Sequence, residues 1–589
     1  KIIKKKKIMC GIFGYTDKKN LQHYFFELMK HRGPDARDIK KISQWTLGHL
    51  RLSIIDLDSS SNQPFESDGS TIIYNGEIYN FLELKKKYLS DYKFKTKSDT
   101  EVLIVLLNKF GLDILDELNG MFAFAFINKN KELFLVRDRF GVKPIYYTLI
   151  DKEFYFASEI KPLIALRSDC NLNNSTIESY FQNKGTDFNE ESGYKEIYSI
   201  KPGHYISITN DKVSDQNRWY FGFNQNRNYG NKKQLIDECE EILLNAIKIR
   251  CRADVPIAIT LSGGVDSTLI YTLIKERLGI SIQPFVFKHT NLETDESKLA
   301  INLAKKYGDK PVIVQDPKSS LDNLKKILWY LELPFSHPSA VAFLSTYQEI
   351  AKRGYKVVLE GHGSDEQLGG YPYMLHDSVI EALQNSEYKK YILRKKVLLQ
   401  THHAGLGQKI SKLQIVRSFL SDLKKIFYGN KVDFNKTIHE SFDYQILPLT
   451  LRTFDRLSMS CSIESRMPFM DYKFVEFARK LPVEMKVSEI GSKSILRELL
   501  KKYGNEEIYL NKEKIGFSSD IPLLFSDIHL KNFILELVAD FDLDNYESIK
   551  NKANLNLGDK ITWDNYSELW KVASVSYYCN YNKLIKNYL

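Results

Sequence analysis

The feature that most constrains the fold lies near the middle of the chain. There the apolar run VPIAITL (residues 255–261) passes directly into SGGVDS (262–267) and then into the helical pattern STLIYTLIKERLG (267–279). A short apolar strand that ends in a glycine-rich turn at a helix start gathers backbone N–H groups and the positive end of the helix at one point. Further apolar runs, IQPFVFK (282–288), PVIVQ (311–315) and KVVLE (356–360), alternate with helical segments. That alternation predicts a mostly parallel sheet with helices on both faces, an α/β region.

The turn has a recognisable chemistry. Gly263 and Gly264 supply positive φ and close approach, and Ser262 and Ser267 supply hydroxyl donors. Asp266 is a misfit for plain anion binding, but a carboxylate belongs there if it holds Mg²⁺ on phosphates. No G-x-x-x-x-G-K-[ST] occurs, so a Walker-type phosphate cradle is not offered. The strand KVVLE ends in GHGSDEQLGGY (361–371), again glycine-rich and acidic. Ligands of open α/β sheets bind at such carboxyl ends, and two loops bearing Asp266 and Asp365 suit one nucleotide and its magnesium.

The first part of the chain has a different texture. WTLGHLRLSIIDL (45–57), TIIYNGEIYN (71–80), GMFAFAFIN (120–128), ELFLVRDRFG (132–141) and EFYFASE (153–159) are short β-type runs, with TEVLIVLLNKFG (100–111) helical between them. This predicts an α+β region of antiparallel sheets and helices. FGFNQNRNYGNKK (221–233) reads as a linker, IDECEEILLNAIKIRC (236–251) as a helix, and the chain after Tyr371 as largely helical. A chain of 589 residues exceeds what one hydrophobic core supports, so two or three domains are expected. The opening KIIKKKKIMCGIFGY (1–15) reads by itself as a solvated basic arm leading into an edge strand, with Cys10 a small buried hydrophobe.

Composition removes several classes. The formal charge of +10 comes from scattered lysines, which argues against a nucleic-acid face. No window approaches the ~18 continuous apolar residues of a membrane span, so no membrane is expected as partner and the expected location is cytoplasmic. The six cysteines are far apart and form no C-x-x-C pair, which suggests neither a disulfide framework nor zinc.

At this point the motifs carry a family resemblance. SGGVDS resembles the pyrophosphate loop of ATP pyrophosphatases. Together with GSDEQLGGY, SIESRMPFMD (462–471) and KSILRE (493–498) it is similar, in order and spacing, to glutamine-dependent asparagine synthetases. CGIFGY (10–15), HRGPD (31–35), RLSIID (51–56), YNGEIYN (74–80), SDTE (98–101) and RDRFGVKPIYY (137–147) resemble the class II glutamine amidotransferase domain, an N-terminal-nucleophile hydrolase. The resemblance implies an amidotransferase domain over 10–217, a linker over 218–233 and an ATP-dependent synthetase domain over 234–589 with a helical C-terminal part. Residues 1–9 would be upstream or removed sequence.

The implied chemistry fits the residue types. Cys10 would attack the side-chain amide of glutamine, its own α-amine acting as base because that group titrates near ~7.7–8. This requires that Cys10 be the first residue, and translation from Met9 followed by its removal is the expected route. Asn75 and the N–H of Gly76 would stabilise the oxyanion, each such donor being worth ~2.7–4 kcal/mol. Glutamine itself would rest on Arg51, Leu52, Ser53, Ile54 and Ile55, with Arg51 on the α-carboxylate and Glu77 and Asp99 on the α-ammonium. In the second domain a substrate carboxylate would attack the α-phosphate of ATP, and ammonia would then displace AMP. Leu261 and Phe287 would flank the nucleoside, Ser262, Gly263, Gly264, Ser267, Glu360 and Gly361 would complete the ATP site, Asp266 and Asp365 would take Mg²⁺, and Lys493 would neutralise the phosphates. Ammonia would travel through a water-poor passage. The resemblance leaves a homodimer open.

One position departs from the family pattern. Where asparagine synthetases read S-G-E-G-S/A-D-E, this chain reads Glu360-Gly361-His362-Gly363-Ser364-Asp365-Glu366. His362 can serve as a base near neutral pH, or it can merely pack. Aspartate is the first expected acceptor, and another carboxylate, such as a uronic acid of a surface glycan, is the alternative. A nucleic-acid-binding protein on a degenerate enzyme scaffold is a third reading, opposed by the intact Cys10, Asn75 and Asp266.

Overall fold

Side-chain alternation along the N-terminal strands builds two facing antiparallel sheets, each with one face toward the other. The computed structural model describes residues 10–589 apart from 17–18, 34, 169, 183–189, 210–211, 223–229, 289–296, 316–319, 336–339, 403–418, 425, 427–428, 430, 512–526, 542–545 and 547–562. The first sheet contains β1 (Gly11–Tyr15), β2 (Ala36–Ile42), β3 (Trp45–Arg51), β8 (Tyr146–Ile150), β9 (Glu153–Ala157) and β10 (Tyr198–Ser199), in the order β10-β8-β9-β1-β3-β2. The second runs β12-β11-β7-β6-β5-β4, with β13 beside β11. Its strands are β4 (Phe65–Ser67), β5 (Ser70–Ile78), β6 (Gly120–Ile127), β7 (Leu133–Arg137), β11 (His204–Thr209), β12 (Lys212–Val213) and β13 (Asn217–Arg218).

Successive residues of one strand enter different cores, as a pleat demands. Ile12 and Ile73 share the core between the sheets with Leu47, Ala125 and Leu135. Phe13 and Tyr15 face the opposite way, onto Phe25 and Leu28 of the helix Gln22–Leu28. Ile72 and Tyr74 face the helix Asp99–Phe110 through Leu103 and Leu106. That helix starts where the Ser98 side chain accepts the Glu101 N–H, and it stops at Gly111 (φ 61°). The result is four layers, helix–sheet–sheet–helix.

β1 corrects an expectation. It is not an edge strand but an interior one, paired to β3 through Gly11↔Leu50 to Tyr15↔Thr46 and to β9 on its other side. Gly14 of β1 and Gly48 of β3 make room for rings. A Cβ on Gly14 would lie 2.4 Å from the Phe156 ring, and one on Gly48 would lie 2.1 Å from Phe13.

The second part of the chain forms a five-stranded parallel sheet, ordered β16-β15-β14-β17-β18, from β14 (Ile257–Thr260), β15 (Gln283–Lys288), β16 (Val312–Gln315), β17 (Val357–Leu359) and β18 (Glu464–Arg466). The chain leaves β14 toward β15 and β16, and later returns on the other side as β17 and β18. The strand order therefore reverses between β14 and β17, and the crevice at their carboxyl ends is the place where such sheets bind ligands. The helix Lys232–Arg250, with a capping box between Asn231 and Gln234, covers one face. Helices dominate after residue 371, and no helix among the described residues is long and apolar enough to cross a membrane. Trp219, within the expected linker, packs on Phe122 and donates its indole N–H to the Arg137 carbonyl at 3.0 Å.

The antiparallel and parallel parts meet across a buried cluster of charges. Glu159 pairs with His31 at 2.7 Å, Lys161 at 2.8 Å and Arg456 at 3.2 Å, and also accepts from the Arg32 guanidinium. Lys161 and Arg456 continue to Glu332 at 2.9 and 2.7 Å, while Arg32 and Lys143 reach Asp455 at 2.7 and 3.2 Å. Burial opposes a charge on Glu159, but these cations outweigh it and hold the carboxyl well below its ordinary range. Removing one member of such a cluster strands its partners away from water. Glu159→Gln is expected to lower stability by ~3–5 kcal/mol in urea unfolding followed by fluorescence. A loss under about 1 kcal/mol would mean that the cluster does not hold the two parts together.

Candidate active site

The thiol of Cys10 stands just before β1, partly buried, where the Leu52 N–H donates to Sγ at 3.2 Å and the Leu52 carbonyl lies 3.6 Å away. Burial pushes the thiol up to about 12, against the lowering by the Leu52 N–H, with Glu464 and Glu77 raising it and Arg51 lowering it.

Asn75, Gly76 and Glu77 lie on β5, in the facing sheet. Asn75 Nδ2 is a buried donor without a partner among the described residues, and Glu77 Oε2 is a buried acceptor in the same state. Buried polar atoms are normally satisfied, so two orphans two residues apart on one strand leave a donor and an acceptor open to a polar ligand. Gly76 is required by close packing, since a Cβ there would fall 2.1 Å from the Met121 carbonyl oxygen. Asp99, in the first turn of its helix, accepts from the Tyr74 hydroxyl and the Ile78 N–H, each at 2.9 Å. Burial lifts its carboxyl to about 6. Glu77 is raised further, by burial and by Asp99, although Arg466 stands 3.2 Å from its other oxygen. Arg51 donates to the carbonyls of Asp56 and Asp58 and to Asn62, so its guanidinium is fixed by the loop that follows β3.

The second cluster forms at the reversal point of the parallel sheet. SGGVDS wraps the start of the helix Val265–Leu273: the Ser262 N–H donates to Ser267 Oγ at 3.2 Å, the Gly264 N–H to Ser262 Oγ at 3.2 Å, and Gly263 has φ 84°. Leu261 and Phe287 are buried where β14 and β15 end. Lys493 reaches across to ion-pair with Asp266 at 2.5 Å and Asp365 at 2.8 Å, which joins the two acidic loops. Burial disfavours its charge, but the two carboxylates raise the ammonium above its ordinary range. Lys493 itself sits in the left-handed region at φ 57°, a conformation that costs a lysine energy and recurs at functional sites. Gly361 permits the approach, because a Cβ there would meet Asp266 Cβ at 2.7 Å.

Asp266 Oδ1 is a buried acceptor with no partner among the described residues. Hard carboxylate oxygens of this kind suit Mg²⁺ whose remaining ligands are phosphate oxygens and water. No group of three or more metal-binding side chains occurs among the described residues.

Glu360 and His362 form a third feature. The Glu360 carboxylate accepts from the Tyr347 hydroxyl at 2.8 Å and from the Ser465 hydroxyl, with His362 Nε2 at 3.7 Å. Burial opposes its charge, but His362 and the two hydroxyls hold its carboxyl below the ordinary range. The imidazole stacks on Phe454 with centroids 3.5 Å apart.

The fold thus sets expected residues at Cys10, on β5 and its neighbouring helix, at the reversal point of the parallel sheet and at Glu360 and His362, and it adds others. Tyr347, Glu464, Ser465 and Arg466 were not assigned roles from the sequence, although the last three lie within SIESRMPFMD. Glutamine binding provides a check. If Asp99 holds a ligand ammonium, it must be ionised, and its raised carboxyl makes affinity fall with acidification. Calorimetry on Cys10→Ala is expected to show glutamine affinity falling about tenfold per pH unit below about 6. A flat profile between pH 5 and 7 would contradict the placement.

The chain is similar to known proteins over most of its length. A family model described as a glutamine amidotransferase domain matches residues 9–220, and one described as asparagine synthase matches 238–579. Asparagine synthetase [glutamine-hydrolyzing] 1 of Bacillus subtilis is 29% identical over 555 residues, covering 86% of this chain and 87% of its own. Amidase chry2 of Gibberella zeae is 28% identical over 574 residues, with 83% of each chain covered. The putative asparagine synthetase [glutamine-hydrolyzing] 2 of Methanocaldococcus jannaschii is 34% identical over 397 residues, covering 62% of this chain and 76% of its own. With one family model spanning more than half of its length and another covering most of the remainder, the chain belongs to the asparagine synthase family and carries out glutamine-dependent amide synthesis.

Proposed function

We propose that the chain is a glutamine-hydrolysing asparagine synthetase. The observation that carries this reading is Lys493 joining Asp266 and Asp365 at the carboxyl ends of β14 and β17, a placement that suits adenylation, in a chain that also presents Cys10. Cys10, with a free α-amine, gives up its thiol proton to that amine and attacks the glutamine amide carbon. Asn75 Nδ2 and the Gly76 N–H receive the oxyanion. The C–N bond breaks as the amine returns the proton to the leaving nitrogen, and water then hydrolyses the thioester to glutamate. Glu77, Asp99 and Arg51 orient the substrate through its α-ammonium and α-carboxylate.

At the other site an acceptor carboxylate oxygen bonds to the α-phosphorus of ATP and pyrophosphate leaves. Ammonia attacks the acyl carbon, and AMP departs with the former carboxylate oxygen. Ser262, Gly263, Gly264 and Ser267 hold the pyrophosphate, Leu261, Phe287, Glu360 and Gly361 bound the nucleotide, and Lys493 offsets the charge that develops on it. Asp266 and Asp365 would hold Mg²⁺, which withdraws charge from the phosphate oxygens. His362, oriented by Glu360, accepts the proton that ammonia loses. One apolar cluster contains Leu52 and Ile54 of the glutamine loop together with Ile259 and Leu261, and Cys10 packs against it. Its continuity supports a dry route for ammonia.

A second reading is amide synthesis on another carboxylate. It is favoured by the histidine–glutamate pair at 360–362, where asparagine synthetases carry their glutamate at the position of His362, and by similarity to proteins named amidases. ATP–pyrophosphate exchange separates the two: aspartate is expected to support it, and exchange only with other carboxylates would replace the first reading by the second. His362→Glu is expected to raise exchange with aspartate, and an unchanged rate would remove His362 from acceptor choice. The nucleophile has its own test. Cys10→Ala is expected to lose glutamine-supported synthesis and keep ammonia-supported synthesis, and intact-mass analysis of active enzyme to find Cys10 at the N-terminus. Glutaminase activity in protein that retains Lys1 would contradict the amine mechanism.

A further inference from the structure

The loop that follows β3 presents Leu52 to Cys10, so its backbone sets the geometry around the nucleophile. Its own half of the molecule fixes only part of it. Arg51 holds the carbonyls of Asp56 and Asp58, and Asp35 accepts the Ser53 N–H at 2.9 Å. Within the same half the Asp56 carboxylate also accepts from the Ser61 hydroxyl at 2.6 Å and the Lys97 N–H at 2.7 Å, and further restraints come from the parallel-sheet half. Lys356 Nζ donates to the Ser53 carbonyl at 3.0 Å and to Asp35 Oδ2 at 2.7 Å. The Asp254 N–H donates to the Ile54 carbonyl at 2.9 Å, and Asp254 Oδ2 accepts the Asp56 N–H at 2.8 Å. Asp56 is in the left-handed region at φ 54°, a conformation that needs outside support in a non-glycine residue.

Resting on the glutaminase reading above, we propose that Lys356 and Asp254 are positioning residues for glutamine hydrolysis, supplied by the synthetase half. Lys356 neutralises Asp35 at the point where Asp35 holds the loop. One ammonium thereby fixes both the N–H and the carbonyl of Ser53. Asp254 closes the other end, so that residues 52–56 are held at each side of the glutamine contacts. Lys356 directly precedes β17 and Asp254 lies just before β14, the two strands whose far ends carry the acidic loops. The glutamine loop is accordingly seated on the amino ends of the strands that form the nucleotide site. Small displacements of catalytic groups cost large factors in rate, so the loop's support is a rate-determining part of the site.

The test uses the full-length enzyme with Lys356→Met and Asp254→Ala. Each is expected to lower kcat/KM for glutamine about tenfold or more, with KM rising. Ammonia-supported synthesis and ATP–pyrophosphate exchange should stay within about twofold of the parent, and Lys356→Arg should restore part of the loss. In the double variant Asp35→Asn/Lys356→Met the loss should be smaller than the product of the two single losses, since both substitutions break the same contact. Unchanged glutamine kinetics in both variants would overturn the proposal. Parallel loss of ammonia-supported synthesis would overturn it as well, because it would mark a general loss of structure. A parent enzyme without any glutaminase activity would instead refute the underlying reading.

Discussion

A carboxylate buried away from water must find cations, and Glu159 finds Arg32, Lys161 and Arg456, with His31 beside it. Arg456 comes from the parallel-sheet half and the others from the antiparallel half. The cluster therefore cannot be satisfied unless the halves meet in one way. Desolvating these groups is expensive, and only their mutual pairing returns that energy. The value of the arrangement is thus geometrical. It sets the amidotransferase layers against the amino ends of β14 and β17, which places the loop around Leu52 on Lys356 and Asp254.

The short strand β18 shows how closely the two chemistries are then built together. Its three residues alternate in direction. Glu464 and Arg466 point toward the antiparallel half, where Arg466 donates to Glu464 at 2.7 Å and faces Glu77 at 3.2 Å. Ser465 points the other way and donates to Glu360. The backbone of the same strand accepts the Glu360 N–H through the Arg466 carbonyl at 3.0 Å. One residue step separates a contact to Glu77 from a contact to the pair at Glu360 and His362.

The sequence made some of this legible and concealed the rest for physical reasons. VPIAITL-SGGVDS announced itself because an apolar strand, two glycines and a helix leave little choice of geometry, and the parallel order around β14 followed. The antiparallel layers were readable from turn signals and alternation. β1 was misjudged as an edge because its glycines and the lysines before it suggest exposure, whereas the space at Gly14 is filled by Phe156. β18, whose sequence is Glu-Ser-Arg, has no apolar signature at all, and its burial depends on partners distant in the chain. The same blindness applies to Glu159, Glu332 and Asp455: a charge bound for the interior looks in sequence like one bound for solvent. At 360–362 the departure from the family pattern was visible, but the pairing of the two side chains and the stacking of His362 on Phe454 were not.

The proposed synthesis couples two events, nitrogen release at Cys10 and activation of a carboxylate as its adenylate between Asp266 and Asp365. One isotope experiment tests both. The enzyme is given amide-¹⁵N glutamine, ATP and an acceptor whose carboxylate carries ¹⁸O, and the products are analysed by mass spectrometry. The account predicts ¹⁵N in the product amide and one ¹⁸O in AMP. Finding the ¹⁸O in inorganic phosphate alongside ADP, or an unlabelled amide, would contradict it.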